Sequence, residues 1–170
     1  DAPLPDTHVA SVDWGDGSPN TQIDSANSPI TAAHIYNDDG VFTVTITVTD
    51  NDGGAGRATL KSTIFNVAPT VDGGPPQAAL VGESVRIANP FKDVGADDTH
   101  SAVINWGDGT RESGDVTDED GGGTVDGSHE YSDPGEFTVT VTVTDDDDDF
   151  SSDTVQVVVV TPAPLPEGLE

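Results

Sequence analysis

The sequence predicts an all-β protein made of two β-sandwiches in tandem, and three observations carry the prediction. Two runs, FTVTITVTD from Phe42 and FTVTVTVTD from Phe137, alternate apolar residues with threonines. This is the period of two, rich in β-branched residues, that a half-buried strand requires. The sequence around the first run recurs around the second, so one structural unit is spelled twice. No segment shows a helical period, whereas many short strand patterns are separated by turn residues.

The repeat begins early in the chain. Asp6-Thr7-His8 matches Asp98-Thr99-His100, and Val12-Asp13-Trp14-Gly15-Asp16-Gly17-Ser18 returns as Ile104-Asn105-Trp106-Gly107-Asp108-Gly109-Thr110. In each copy a strand ends at the tryptophan, an apolar anchor worth ~150–250 Å² of burial. The Gly-Asp-Gly that follows supplies positive-φ positions for a hairpin turn, and its aspartate can accept nearby backbone N–H groups. His34-Ile35-Tyr36 then matches His129-Glu130-Tyr131, and Gly40 matches Gly135. The one length change falls between tryptophan and histidine, where a surface loop tolerates it. The long Thr-rich strands follow, with hairpin partners over residues 57–67 and 154–160 across the turns DNDGGAG and DDDDDFSS.

The second copy opens at Ala68-Pro69-Thr70-Val71 and adds strands around Val71 and over residues 84–87. These place Val71, Leu80, Val81, Val85 and Ile87 in its core. The first copy has no counterpart for them. Each buried aliphatic side chain contributes ~1.5–3 kcal/mol, so losing five approaches a domain's whole ~5–15 kcal/mol. The first copy is therefore expected to need cover from an upstream segment, a neighbouring copy of the chain or a swapped strand. The expected organisation is an N-terminally incomplete domain over 1–67, a complete one over 68–161 and a Pro-rich tail over 162–170.

Thirty-two acidic residues face five basic ones, for a formal charge of −27, and there is no cysteine. Such a surface repels nucleic acid and anionic membranes and attracts cations. Both discrete Ca²⁺ sites and a general solvating coat fit this acidity. Disulfides and thiol chemistry are excluded. No window approaches the ~18 apolar residues of a membrane span, and no signal-peptide pattern opens the chain. The four histidines lack the spacing of a zinc site, so His34, Tyr36, His129 and Tyr131 are read with Trp14 and Trp106 as structural. No serine lies in a nucleophile elbow, and no catalytic residue is assigned.

A strand ending in W-G-D-G-[ST], followed by H-x-Y-x-x-x-G-x-F-T-V-T and a closing aspartate, resembles the PKD (polycystic kidney disease repeat) domain. The joining phrase Asn66-Val67-Ala68-Pro69-Thr70-Val71 resembles the start of such a domain. The resemblance covers all of the second copy and the last two-thirds of the first; residues 118–123 form an unusual acidic, Gly-rich insert. It implies immunoglobulin-like sandwiches on an extracellular or cell-surface protein, serving as non-enzymatic spacer or adhesive elements. The alternative it leaves is an accessory polysaccharide- or protein-binding module of a secreted hydrolase. It also implies Ca²⁺ at one end of the second sandwich, held by Asn66, Asp97 or Asp98, and Asp145, with Asp93 or Asp147 helping. The first copy keeps Asp6 and Asp50 but not the opening segment. The partners implied are neighbouring domains or further copies of the same chain, with no nucleic acid and no membrane insertion.

Overall fold

Twelve strands and no helix are found in the computed structural model, which describes residues 6–24, 26–27 and 29–163. The Pro-rich stretch at 2–5 and the expected tail from 164 onward lie outside the described residues. The chain divides into two compact units, Asp1–Phe65 and Asn66–Glu170.

Unit 1 contains β1 (His8–Asp13), β2 (Thr21–Ile23), β3 (Gly40–Asp50) and β4 (Ala55–Ile64), in the order β2-β1-β3-β4. All its pairings are antiparallel. Ala10, Val12 and Val44 are buried on one face. Residues 30–36 lie over that face without joining a strand, and Trp14, Ile30, Ala32, Ile46, Leu60 and Ile64 share one groove there.

Unit 2 is built from β5 (Thr70–Val71), β6 (Gln77–Leu80), β7 (Ser84–Lys92), β8 (Ser101–Asn105), β9 (Arg111–Glu119), β10 (Gly122–Glu130), β11 (Gly135–Thr144) and β12 (Phe150–Val160). Their order is β5-β7-β10-β9-β8-β11-β12-β6, and only the β12–β6 pairing is parallel. The sheet folds over on β9, whose first half pairs with β8 and whose second half pairs with β10. Gly114 sits at that change of partner, where an added Cβ would lie 2.5 Å from Val125. The two layers enclose Val85, Ile87, Phe91, Ile104, Trp106, Val125, Tyr131 and the inward valines of β11 and β12.

The Thr-rich strands form as their alternation predicts, with Val139, Val141 and Val143 fully buried. Two expectations need correction. Leu80 is 36% exposed, because β6 turns Ala79 inward and Leu80 outward. The strand expected over 84–87 continues to Lys92 and buries Phe91. Asn89 and Pro90 disguised that continuation in the sequence. The Asn89 amide donates to the carbonyls of Asp72 and Gly73, and the Pro90 carbonyl accepts from Asp72 N–H.

Candidate metal centre

The Trp-Gly-Asp-Gly turns are built alike in the two units. Gly15 and Gly17 have φ near 84° and 83°, and Gly107 and Gly109 near 82° and 101°. An added Cβ would strike Thr43 at Gly15, and Thr138 at Gly107, so neither position admits a side chain. Asp16 accepts from Ser18 N–H and lies 2.5 Å from His34 Nε2; Asp108 accepts from Thr110 N–H and lies 2.7 Å from His129 Nε2. The held imidazole stacks on the tryptophan and meets the tyrosine edge-on; the tyrosine stacks on Phe42 or Phe137. Tyr36 and Tyr131 donate to the carbonyls of Trp14 and Trp106. The six aromatic and histidine residues assigned to structure therefore lie in two ring stacks.

The Ser18 hydroxyl, followed by His34, holds the Asp16 carboxyl well below the usual range. For Asp108, burial acts upward but is outweighed by Thr110 N–H and His129, so its pKa is also lowered. Burial, helped by the charge of Asp108, raises Tyr131 to about 12.

A different set of acids meets in unit 2. Asp93 follows β7, Asp98 lies in the next loop, and Asp145 follows β11; one carboxylate oxygen from each lies within 4.8 Å of the others. Asp98 and Asp145 are 8% and 4% exposed. Gly95 makes room for this arrangement, since an added Cβ there would overlap the Asp98 carboxylate. Asp145 Oδ1 accepts from the N–H groups of Asp147 and Asp149, and its Oδ2 accepts from the Asn66 side-chain amide at 2.9 Å. Of the six residues in the expected site, three converge and Asn66 reaches one of them. Asp97 and Asp147 are exposed and stand outside the cluster.

The donor set fits a hard cation. Three carboxylates supply only oxygen, both Asp93 oxygens and Asp145 Oδ2 accept one hydrogen bond each where an oxygen can accept two, and Ca²⁺ takes six to eight oxygens. Zinc fits poorly, because His100 engages Asp93 with one ring nitrogen at 3.1 Å and Asp118 with the other at 2.9 Å. Burial alone depresses the His100 pKa, but hydrogen bonds to these two carboxylates outweigh it and the net shift is upward. Sequence reasoning missed the role of His100, which packs on Phe91 and links the acidic insert, through Asp118, to Asp93. The sequence signal was the Asp-Thr-His phrase shared by both copies.

Among the described residues, no hydroxyl is hydrogen-bonded to a histidine in a nucleophile arrangement, and no helix is long and apolar enough to cross a membrane. A family model described as the PKD domain matches residues 2–64 and 66–160. Among solved structures, the chain is similar to the PKD domain of an M14-like peptidase from Thermoplasmatales archaeon SCGC AB-540-F20. Identity there is 24%, over 56% of this chain and 98% of that one, with a TM-score of 0.46. The fibronectin(III)-like modules of Clostridium thermocellum CbhA are 19% identical over 96% of this chain and 83% of theirs, with a TM-score of 0.43. Domains 4 and 5 of the S-layer protein SbsC are 13% identical over 92% and 70%, with a TM-score of 0.41. No curated protein sequence matches the chain. Two matches to one family model take in nearly the whole sequence, and the same turn and ring stack recur in both, so the chain belongs to the PKD domain family.

Proposed function

We propose that this chain is a non-enzymatic structural or adhesive module of the cell exterior, a spacer whose second domain binds Ca²⁺ and whose first is completed by added strands. The convergence of Asp93, Asp98 and Asp145 supports the cation. Three carboxylates drawn together, two of them buried, repel one another at neutral pH, and a divalent ion relieves that repulsion. Asn66, which bonds to Asp145, directly follows the last residue of unit 1 in sequence. Fixing Asp145 therefore also fixes the start of the second domain, and this is how Ca²⁺ stiffens the pair.

The family supports the exterior setting, and the single-layered sheet of unit 1 supports completion by added strands. Among the described aromatic residues, only Phe65 and Phe150 are largely exposed, and they lie in different units. That gives little support to a carbohydrate-binding row.

Thermal unfolding with CaCl₂ and with EDTA tests the cation. At free Ca²⁺ of 100 times the dissociation constant, unit 2 should gain about 2.7 kcal/mol. Asp98→Asn should lose that gain while remaining folded. Identical curves in Ca²⁺ and EDTA would sink the site, and a scattering profile unchanged by chelation would sink the stiffening.

A further inference from the structure

We infer that unit 1 takes up an extended polypeptide segment with the side-chain pattern of β7, docked antiparallel along residues 30–36. This deepens the completion reading given above and rests on it. The two units have the same β-hairpin register: Gly40 pairs with Ile64 as Gly135 pairs with Val159, and Val44 with Leu60 as Val139 with Val155. Residues of one unit can therefore be mapped onto the other one by one.

The mapped residues differ mainly in cover. Trp106 and Tyr131 are 0% and 1% exposed, while Trp14 and Tyr36 are only half-buried. Val141 is fully buried and Ile46 is not; Val155 is 1% exposed and its counterpart Leu60 is 50% exposed. In unit 2 the cover is β7, which runs antiparallel to β10 with Val85 opposite His129, Ile87 opposite Gly127 and Asn89 opposite Val125. The counterparts in unit 1 are His34, Ala32 and Ile30, in a segment that belongs to no strand.

Two separate cavities in unit 1 lie where side chains of β7 would fall. One, of about 500 Å³, is lined by Ala32 and by Trp14, Ile30, Ile46, Leu60 and Ile64 among others, the last five being the counterparts of residues packed in the core with Val85 and Ile87. The other, of about 440 Å³, is lined by His8, Ala26, Asn27, Ile30 and Val48. His8 is the counterpart of His100, the ring on which Phe91 packs. The pattern required of the occupant is therefore Val-x-Ile-x-x-x-Phe, whose last two apolar positions lie about 13 Å apart on an extended chain.

The groove also shows compensated packing. In unit 2 a Cβ at Gly127 would overlap Ile104; in unit 1 that position is Ala32, and Ile104 is replaced by the shorter Val12. Charge does not oppose docking, since β7 carries Arg86 and Lys92 and no acid against a chain of −27.

The test adds a synthetic peptide of residues 82–93 to the intact chain and follows amide hydrogen exchange. Residues 30–36 should exchange at least about ten-fold more slowly with peptide. A peptide carrying Val85→Asp and Ile87→Asp should give no protection, and one with Phe91→Ala should bind more weakly. Equal protection by the Asp peptide, or binding that leaves 30–36 unprotected, overturns the register while the completion reading stands. Full protection of 30–36 in the monomer without peptide overturns both. If sedimentation shows dimers that already protect this segment, the occupant is a second copy and the β7-type segment is ruled out.

Discussion

Asp108 carries two tasks in four atoms: it closes the turn through Thr110 N–H and orients the His129 ring that stacks on Trp106. Asp108→Asn keeps the first task and loses the charge that serves the second, at a cost of about 1 kcal/mol at pH 7. The pKa of Asp108 is lowered in the fold. Its contribution is thus complete above the unfolded value near pH ~4 and is lost as pH falls through the folded value. Denaturant titrations should show a gap between wild type and Asp108→Asn at pH 7 that narrows as the pH is lowered below the unfolded value of ~4. A gap of constant size would mean that the charge plays no part. The residue scale was partly legible: the turn, the glycines and the packing tryptophan follow from the motif. The histidine contact was not legible, because it spans 21 positions and nothing local encodes it.

At the scale of the element, the β11–β12 turn shows how one conformation is reached by two chemistries. In unit 1 the corresponding turn places Gly53 at φ 91°, while in unit 2 the same position is Asp148 at φ 68°. Aspartate tolerates this left-handed conformation better than most residues, but glycine adopts it without steric cost. Asp148→Gly should therefore stabilise unit 2 by about 0.5–1 kcal/mol, read from its thermal midpoint. A fall in the midpoint would show that chain entropy or a local contact of Asp148 outweighs the strain. The turn is held by Asp145, as its counterpart is by Asp50, each accepting two backbone N–H groups of its own hairpin. A closing aspartate is thus a turn cap in both copies, and only the second stands beside Asp93 and Asp98.

At the scale of the whole molecule, the two units have similar hairpins and unequal cores. Unit 2 closes fourteen apolar residues into one buried cluster, whereas unit 1 buries Ala10, Val12 and Val44 and leaves its larger side chains half-covered. Calorimetry should resolve two transitions, unit 1 melting first and with the smaller enthalpy. One coincident transition would contradict independent units of unequal stability. Raising NaCl should stabilise both units, because a net charge of −27 works against compaction and is screened within ~10 Å at 0.1 M salt. Only unit 2 should respond further to EDTA.

The sequence alone determined the class of fold, the repeat and the hairpins, because strand alternation and glycine turns are local signals that need no partner to be read. It also marked Asn66, Asp145 and one of Asp97 and Asp98 through a family resemblance, with Asp93 or Asp147 only as a helper. Tertiary structure separated these acids: strand direction and loop path bring three carboxylates within 4.8 Å and leave the other two outside. It also extended β7 past Asn89 and Pro90, where propensity argues for a stop and pairing with β10 and β5 outweighs it. The exposed groove of unit 1 has the same origin. Its residues match those of a closed core, and whether a face is buried depends on what lies across from it.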